Sequence, residues 1–185
     1  MSRLVLAIQL VGIAASLMLV VGPVRIRLRR PGPDVSGLVF GDDARRVLDA
    51  ARHRAAALGH PAVGFEHLLL ALLADGDGGA ARVLASLGVD RGALGAELAS
   101  RIGRGREVVG RVEDVPYSAG VARVLEAALV EAHSAGAERA GSEHLLAALA
   151  TKGRGGARRA MARAGLSFGG VREAVRSGAG PRQLP

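Results

Sequence analysis

The sequence predicts an all-α fold built from two tandem four-helix repeats. Ala and Leu supply 35 and 25 of the 185 residues, whereas only four residues are aromatic, so the composition favours helices over sheets. The chain also matches itself at an offset of 77 residues. Between positions 46 and 92, 22 of 47 residues are identical to their partners without a gap. Both copies carry Glu-His-Leu-Leu, and their glycines are in register, so we expect a duplicated helical unit.

The first element along the chain is an apolar run over residues 4–22. At about 1.5 Å per residue it spans roughly 28 Å, close to the thickness of a bilayer core. A secretory signal peptide is the alternative, but its apolar region is usually only about 7–15 residues long and ends at a small-x-small cleavage site. This run is longer and is followed by four arginines. We therefore expect residues 1–24 to be a transmembrane helix that anchors the chain, with a basic flank.

The arginines around this run also predict its orientation. Arg25, Arg27, Arg29 and Arg30 follow the run, whereas Arg3 precedes it. Under the positive-inside rule, the chain after the run lies on the cytoplasmic side of a bacterial inner membrane, which it crosses once. Residues 25–39 are rich in Pro and Gly and are predicted to be a linker, and residues 178–185 are predicted to be a disordered tail.

The first repeat, about 40–102, is predicted to contain four helices. Apolar residues from Ala44 to Leu58 fall on one helical stripe, and Gly59 stands where a left-handed C-cap is expected. The run Leu68-Leu69-Leu70-Ala71-Leu72-Leu73 is apolar on every side, so its helix should be the buried centre. The predicted helices cover about 42–58, 65–74, 79–87 and 90–102.

The second repeat, about 117–177, follows the same plan. Ser142 is a credible N-cap for its buried helix, because a serine side chain can accept a hydrogen bond from a free backbone N–H. The predicted helices cover about 118–135, 142–150, 155–164 and 168–177.

Charge and motifs exclude several functions. The net charge is +5 over residues 1–33, −4 over 34–151 and +7 over 152–185, so the acidic central region argues against a nucleic-acid-binding domain. The chain has no Cys, which excludes disulfides, thiol catalysis and Cys-based zinc sites. Its single lysine, Lys152, precedes Gly153 rather than Ser or Thr, so a Walker-type nucleotide site is excluded. We expect no cofactor, no metal and no catalytic residues.

The ordered motifs resemble a known family. Phe40 and Tyr117 open the two repeats, Ile102-Gly103-Arg104-Gly105-Arg106-Glu107 joins them, and the first repeat contains Leu58-Gly59-His60, Val63-Gly64-Phe65-Glu66-His67-Leu68-Leu69 and Asp75-Gly76-Asp77-Gly78-Gly79. This pattern, over about 40–177, resembles the N-terminal repeat domain of Clp-type AAA+ unfoldases, and the inter-repeat stretch is most similar to the ClpC branch.

The resemblance implies an eight-helix domain with pseudo-two-fold symmetry. In the family this domain recruits adaptors and substrate proteins to an attached ATPase ring. We therefore expect a stand-alone, membrane-anchored, non-catalytic module that binds proteins or peptides, such as Clp substrates or adaptors. Two alternatives are a regulatory decoy that competes with a Clp ATPase for ligands, and a basic protein that binds membranes or nucleic acid.

The resemblance also implies candidate ligand-binding residues. In ClpC-like members the glutamate of Glu-His-Leu-Leu helps to bind phosphorylated arginine, and the matching residues are Glu66 and Glu143. Ser118 and Ser142 keep hydroxyl groups that the family carries near helix starts, whereas the first repeat has Gly41 and Phe65 there. The second repeat is therefore expected to be the better ligand site. The alternative is that both glutamates only stabilise their helix N-termini.

Basic residues distinguish the second repeat from the family pattern. These residues are Lys152, Arg154, Arg158, Arg159 and Arg163. On the helix at about 155–164, the arginines spread over the side opposite the apolar residues, which is compatible with a solvated face or with contact to anionic lipid of the inner leaflet.

Overall fold

The computed structural model describes residues 39–106 and 111–179. Within these ranges, eight α-helices are joined by short loops, and a 3₁₀ turn, Val112–Asp114, lies between the repeats. The first repeat contains α1 (Asp42–Ala57), α2 (Phe65–Ala74), α3 (Gly79–Ser86) and α4 (Arg91–Arg101). The second repeat contains α5 (Ala119–Ser134), α6 (Ser142–Lys152), α7 (Gly155–Arg163) and α8 (Phe168–Ala174). The described part contains no β-strand, so the all-α prediction is confirmed.

The core is centred on α2 and α6, the two helices that the sequence predicts to be buried. Leu69 and Leu146 are fully buried at equivalent positions, and one continuous apolar cluster joins the two repeats. The amphipathic helices α1 and α5 pack on these central helices with their apolar stripes inward. Gly59 and Gly136 follow α1 and α5 with φ of 68° and 71°, so each supplies the left-handed residue that ends its helix.

The repeats exchange backbone contacts at their helix starts. Phe40, just before α1, pairs with Ala140, just before α6, and Val63 pairs in the same way with Tyr117. The N–H of Gly41 donates to the carbonyl of Ala140 at 3.0 Å. Each central helix therefore begins beside the first helix of the other repeat, an arrangement that determines which side chains meet.

The helix ends agree closely with those expected, apart from the last one. Helix α8 ends at Ala174, and the chain continues as a π-helical turn over Val175–Ala179 that contains Gly178 at φ 87°. The predicted anchor at 1–24 and most of the predicted linker lie outside the described residues. Within the described ranges, no helix is both long enough and apolar enough to span a bilayer.

Candidate functional site

The two glutamates of the repeated Glu-His-Leu-Leu motif lie at the starts of α2 and α6. Each carboxylate lies near the N-terminus of a short helix from the other repeat: Glu66 near α7, and Glu143 near α3. A helix N-terminus presents free N–H groups and a partial positive charge, so both glutamates occupy an electrostatically favourable place. The two surroundings nevertheless differ in exposure and in hydrogen bonding.

Glu66 is half-buried and caps α7. Its Oε1 accepts hydrogen bonds from the N–H of Gly156 at 2.8 Å and of Ala157 at 3.3 Å. Within the described part of the chain, its Oε2 has no hydrogen-bond partner. Glu66 also lines an open cleft of about 490 Å³ between the repeats, which we call the Glu66 cleft. One carboxylate oxygen is therefore free to receive a donor from a ligand.

Arginines give the Glu66 cleft a mixed charge. Arg101 and Arg163 both line it and both pair with Glu97, the former at 3.4 Å between Nε and Oε1. Arg159 lines the cleft as well and has no ion-pair partner among the described residues. The cleft thus offers a carboxylate and an uncommitted guanidinium to the same ligand.

Two histidines form a hydrogen-bonded relay beside Glu66. The N–H of Gly64 donates to Nδ1 of His67 at 2.8 Å, and Nε2 of His67 lies 2.7 Å from Nδ1 of His60. Burial and the neighbouring His60 lower the pKa of His67 from 6.5 to about 4, although Glu66 acts in the opposite direction. His67 is therefore neutral near pH 7, and because Nδ1 accepts, its proton is on Nε2 and is donated to His60.

Glu143 is enclosed, with only 2% of its surface exposed. Its Oε1 lies 3.0 Å from Nδ1 of His144, and its Oε2 has no hydrogen-bond partner. The carboxylate packs against Gly79 and Gly141, where a Cβ atom would overlap it. With this burial, the Glu143 carboxylate is not accessible to a ligand.

Asp43 accepts a hydrogen bond from the N-terminus of α3, as Glu66 does from the N-terminus of α7. Its Oδ2 accepts from the N–H of Gly79 at 3.2 Å, and from the N–H and hydroxyl of Ser142 at 3.0 and 2.7 Å. The Ser142 hydroxyl in turn accepts from the N–H of Ala80 at 3.0 Å. Burial alone would raise the pKa of Asp43, but the hydrogen bonds from Ser142, Gly79 and Ala44 outweigh it and lower this pKa below 3.8. An internal carboxylate and hydroxyl therefore occupy this helix start.

Sequence reasoning missed Asp43. The only signal in the sequence is a difference between the repeats: the first has Asp43 where the second has Gly120, so the carboxylate has no counterpart. Ser142 was expected to act as an N-cap or ligand hydroxyl, but Gly141 is the N-cap of α6 and Ser142 is fully buried in the Asp43 network.

Ser118 lies with Glu66 rather than with Glu143. The N–H of Ser118 donates to the carbonyl of Val63 at 3.0 Å, close to the start of α2. Its hydroxyl caps α5 by accepting from the N–H of Val121 at 3.3 Å. The structure therefore does not bring Glu143, Ser118 and Ser142 together as expected. Ser142 lies beside Glu143, whereas Ser118 lies on the Glu66 side.

The five basic residues of the second repeat also divide between two surfaces. Arg159 and Arg163 line the Glu66 cleft, whereas Lys152, Arg154 and Arg158 line a separate groove. No group of three His, Asp or Glu side chains comes together as a metal site would in the described residues.

Comparison with known sequences finds one matching domain family. The family model described as the Clp repeat (R) N-terminal domain matches residues 39–176. The chain is 35% identical over 136 residues to the negative regulator of genetic competence ClpC/MecB of Bacillus subtilis. It is 38% identical over 136 residues to a chloroplastic ClpA homologue of Brassica napus, an ATP-binding subunit of the Clp protease. Each alignment covers 74% of this chain but only 16% and 15% of those relatives.

Solved structures show the same fold. The N-terminal domain of the chaperone ClpD from Arabidopsis thaliana aligns with a TM-score of 0.59 at 24% identity, covering 75% of this chain and 95% of that domain. A ClpV N-domain in complex with a VipB peptide aligns with a TM-score of 0.60 at 18% identity, covering 84% and 92%.

Proposed function

The chain belongs to the Clp repeat (R) N-terminal domain family, and we propose that it is a non-catalytic module that binds substrate proteins, adaptors or peptides. The observation that carries this proposal is the Glu66 cleft, an open site that contains a half-buried carboxylate with a free oxygen. The complex of a ClpV N-domain with a VipB peptide supports it, because a domain of this fold binds a peptide in that complex. The relatives' ATP-binding function is not carried over, because the chain spans only about a sixth of their length and lacks a Walker motif.

The ligand chemistry proposed for this cleft is a phosphorylated arginine side chain. Its guanidinium would donate to the free Oε2 of Glu66, and its phosphate would bind Arg159, which has no ion-pair partner among the described residues. The N–H groups at the start of α7 are already used by Glu66, so the arginine side chains of the cleft, rather than the helix N-terminus, would hold the phosphate.

The proposed location is the cytoplasmic face of the inner membrane. Support comes from the apolar run at 4–22 and the four arginines that follow it, which together favour a single-pass anchor. A tether of this kind would hold the binding domain, and any protein that it recruits, close to the membrane.

Site-directed photo-crosslinking tests the binding function. A photoreactive amino acid replaces Pro61, which is exposed and lines the Glu66 cleft, in the full chain expressed in a bacterial membrane. The matched control carries it at Val130, which is 63% exposed on α5 and outside the cleft. We expect discrete protein adducts at Pro61 that are absent at Val130. Adducts at neither position, or the same adducts at both, would overturn the proposed function.

A further inference from the structure

A basic groove with no acidic lining residue lies mainly on the second repeat. We use the name basic groove for the cleft of about 680 Å³ lined by Phe65, Gly120, Arg123, Lys152, Arg154 and Arg158, together with Thr151 and Gly153. Its four cationic side chains have no ion-pair partner among the residues that the structure describes. The groove therefore gathers four cations and no carboxylate, which suits it electrostatically to an anionic partner.

The equivalent surface of the first repeat is already neutralised. Lys152 and Arg154 correspond to Asp75 and Asp77, and Arg123 corresponds to Arg46. Arg46 pairs with Asp75 at 3.5 Å, so the first repeat supplies both charges of its own ion pair. The second repeat keeps the cation at this place and replaces the carboxylates with further cations.

A second difference lies at the inner end of the groove. Asp43 supplies a half-buried carboxylate in the first repeat, whereas the equivalent Gly120 supplies none. The ring of Phe65 packs on Gly120, where a Cβ atom would be only 2.5 Å from its Cζ. The inner end is therefore apolar. Carboxylates that neutralise the four cations of the groove would have to come from a bound partner.

We propose that the basic groove binds an acidic segment of a partner protein, with its carboxylates on the four cationic side chains and an apolar side chain against Phe65. This inference names the partner class and rests on the proposed function. A peptide fits better than a bilayer, because the groove is a concave cleft formed by α2, α5, α6 and α7. It also fits better than single-stranded nucleic acid, which usually stacks on several aromatic platforms, whereas the groove has one aromatic residue.

A labelled peptide measures binding directly. The probe is a fluorescein-labelled peptide of alternating Asp and Glu around one Phe, and its neutral partner carries Asn and Gln instead. Both are titrated against the full chain in neutral detergent by fluorescence anisotropy, at low and at physiological salt. We expect the acidic probe to bind, to weaken with salt and to bind more tightly than the neutral probe.

A double variant locates the binding to the groove. Lys152→Asp with Arg154→Asp introduces the residues of the first repeat, which the same fold already accommodates. The control is Arg104→Asp with Arg139→Asp, an equal change of charge at two exposed positions outside the groove. The groove variant should bind the acidic probe about tenfold or more weakly, and the control should bind within about twofold of wild type. Circular dichroism verifies that both variants keep their helices.

Three outcomes would overturn the inference. They are equal losses in the two double variants, no preference for the acidic over the neutral probe, or binding only to phosphatidylserine vesicles or a single-stranded oligonucleotide offered in parallel.

The crosslinking at Pro61 distinguishes a failure of the groove proposal from a failure of the proposed function. Adducts at Pro61 with no binding of the acidic probe would reject the groove and leave the proposed function intact. The absence of adducts would reject the proposed function itself.

Discussion

Glu66 and Glu143 are equivalent in sequence but have different surroundings. Glu66 has one oxygen on the N-terminus of α7 and lines an open cleft, whereas Glu143 is enclosed and its Oε2 has no hydrogen-bond partner. The sequence ranks the second repeat as the better ligand site because it keeps Ser118 and Ser142. In the structure, the accessible glutamate is instead Glu66 of the first repeat. The two serines are also separated, because Ser142 is hydrogen-bonded to Asp43 and Ser118 lies on the Glu66 side.

We therefore expect Glu66→Gln to weaken binding of a phosphoarginine peptide more than Glu143→Gln does. A hydrogen bond to a charged group contributes about 1.5–3 kcal/mol, so the loss for Glu66→Gln should be about tenfold or more. Calorimetric titration of the peptide against wild type and both variants measures it. A larger loss for Glu143→Gln would show that the enclosed site opens to ligand, and no binding by wild type would remove phosphoarginine as the ligand class.

His67 predicts how stability depends on pH. Its pKa is about 4 in the folded protein and near 6.5 when unfolded, so the unfolded chain binds more protons between these values. The contribution of His67 is fully present above pH 6.5 and is lost as the pH falls towards 4, by at most about 3 kcal/mol. Urea unfolding at several pH values measures this loss.

His67→Gln provides the test of this assignment. A glutamine at the same helical position can still accept from the N–H of Gly64, and it does not titrate. The variant should therefore lose most of the pH dependence between 6.5 and 4. His53→Gln, at an exposed site on α1, should keep it. Equal pH profiles for wild type and His67→Gln would contradict the assignment.

At the scale of elements, the repeats are joined by side chains that cap helices across the pseudo-two-fold axis. Glu66 of the first repeat caps α7 of the second, and Ser142 of the second repeat joins Asp43 in capping α3 of the first. These contacts link residues 90 and 99 positions apart in the sequence. They hold the N-termini of α3 and α7 in place, and α7 lines both the Glu66 cleft and the basic groove.

Ser142→Ala should therefore destabilise the domain. It leaves the buried N–H of Ala80 without an acceptor and removes a hydrogen bond to Asp43, at a cost of about 1–3 kcal/mol. The pKa of Asp43 should also move up towards 3.8, because the hydroxyl no longer stabilises its charged form. Chemical denaturation measures the first effect, and carboxyl NMR titration measures the second.

Ser100→Ala is the matched control for this substitution. Ser100 is exposed, and its hydroxyl bonds only within α4, so its loss should change stability by less than about 0.5 kcal/mol. Equal effects of the two substitutions would mean that the Asp43 network does not hold the repeats together.

The sequence predicts helices better than it predicts contacts between them. The offset of 77 residues and the apolar runs around Leu69 and Leu146 were enough for eight helices and their buried centre. Periodicity does not reveal that each repeat caps a helix of the other, because this depends on how the units pack. The role of Asp43 and the separation of Ser118 from Glu143 therefore required the structure.

At the scale of the whole molecule, charge separates into distinct regions. The central residues 34–151 carry a net charge of −4, whereas residues 1–33 and 152–185 carry +5 and +7. Within the folded domain, a basic groove lined by Arg158 lies beside a cleft of mixed charge lined by Glu66 and Arg159. Under the two proposals above, one partner with both an acidic segment and a phosphorylated arginine would contact both surfaces, which Phe65 and Glu66 border as neighbours in the chain.

The prediction at this largest scale is that residues 4–22 anchor the protein in the membrane and that the following chain lies in the cytoplasm. Residues 4–22 are long enough to span a bilayer, and the basic residues at 25–30 should hold the following chain in the cytoplasm. A fluorescent or phosphatase reporter fused after Pro185 should report a cytoplasmic location, and the protein should stay in the membrane during carbonate extraction. Replacing the four arginines at 25–30 with Asn should weaken this orientation, whereas Arg104→Asn and Arg139→Asn should leave it unchanged. A soluble periplasmic product trimmed near residue 24 would instead identify the run as a cleaved signal peptide.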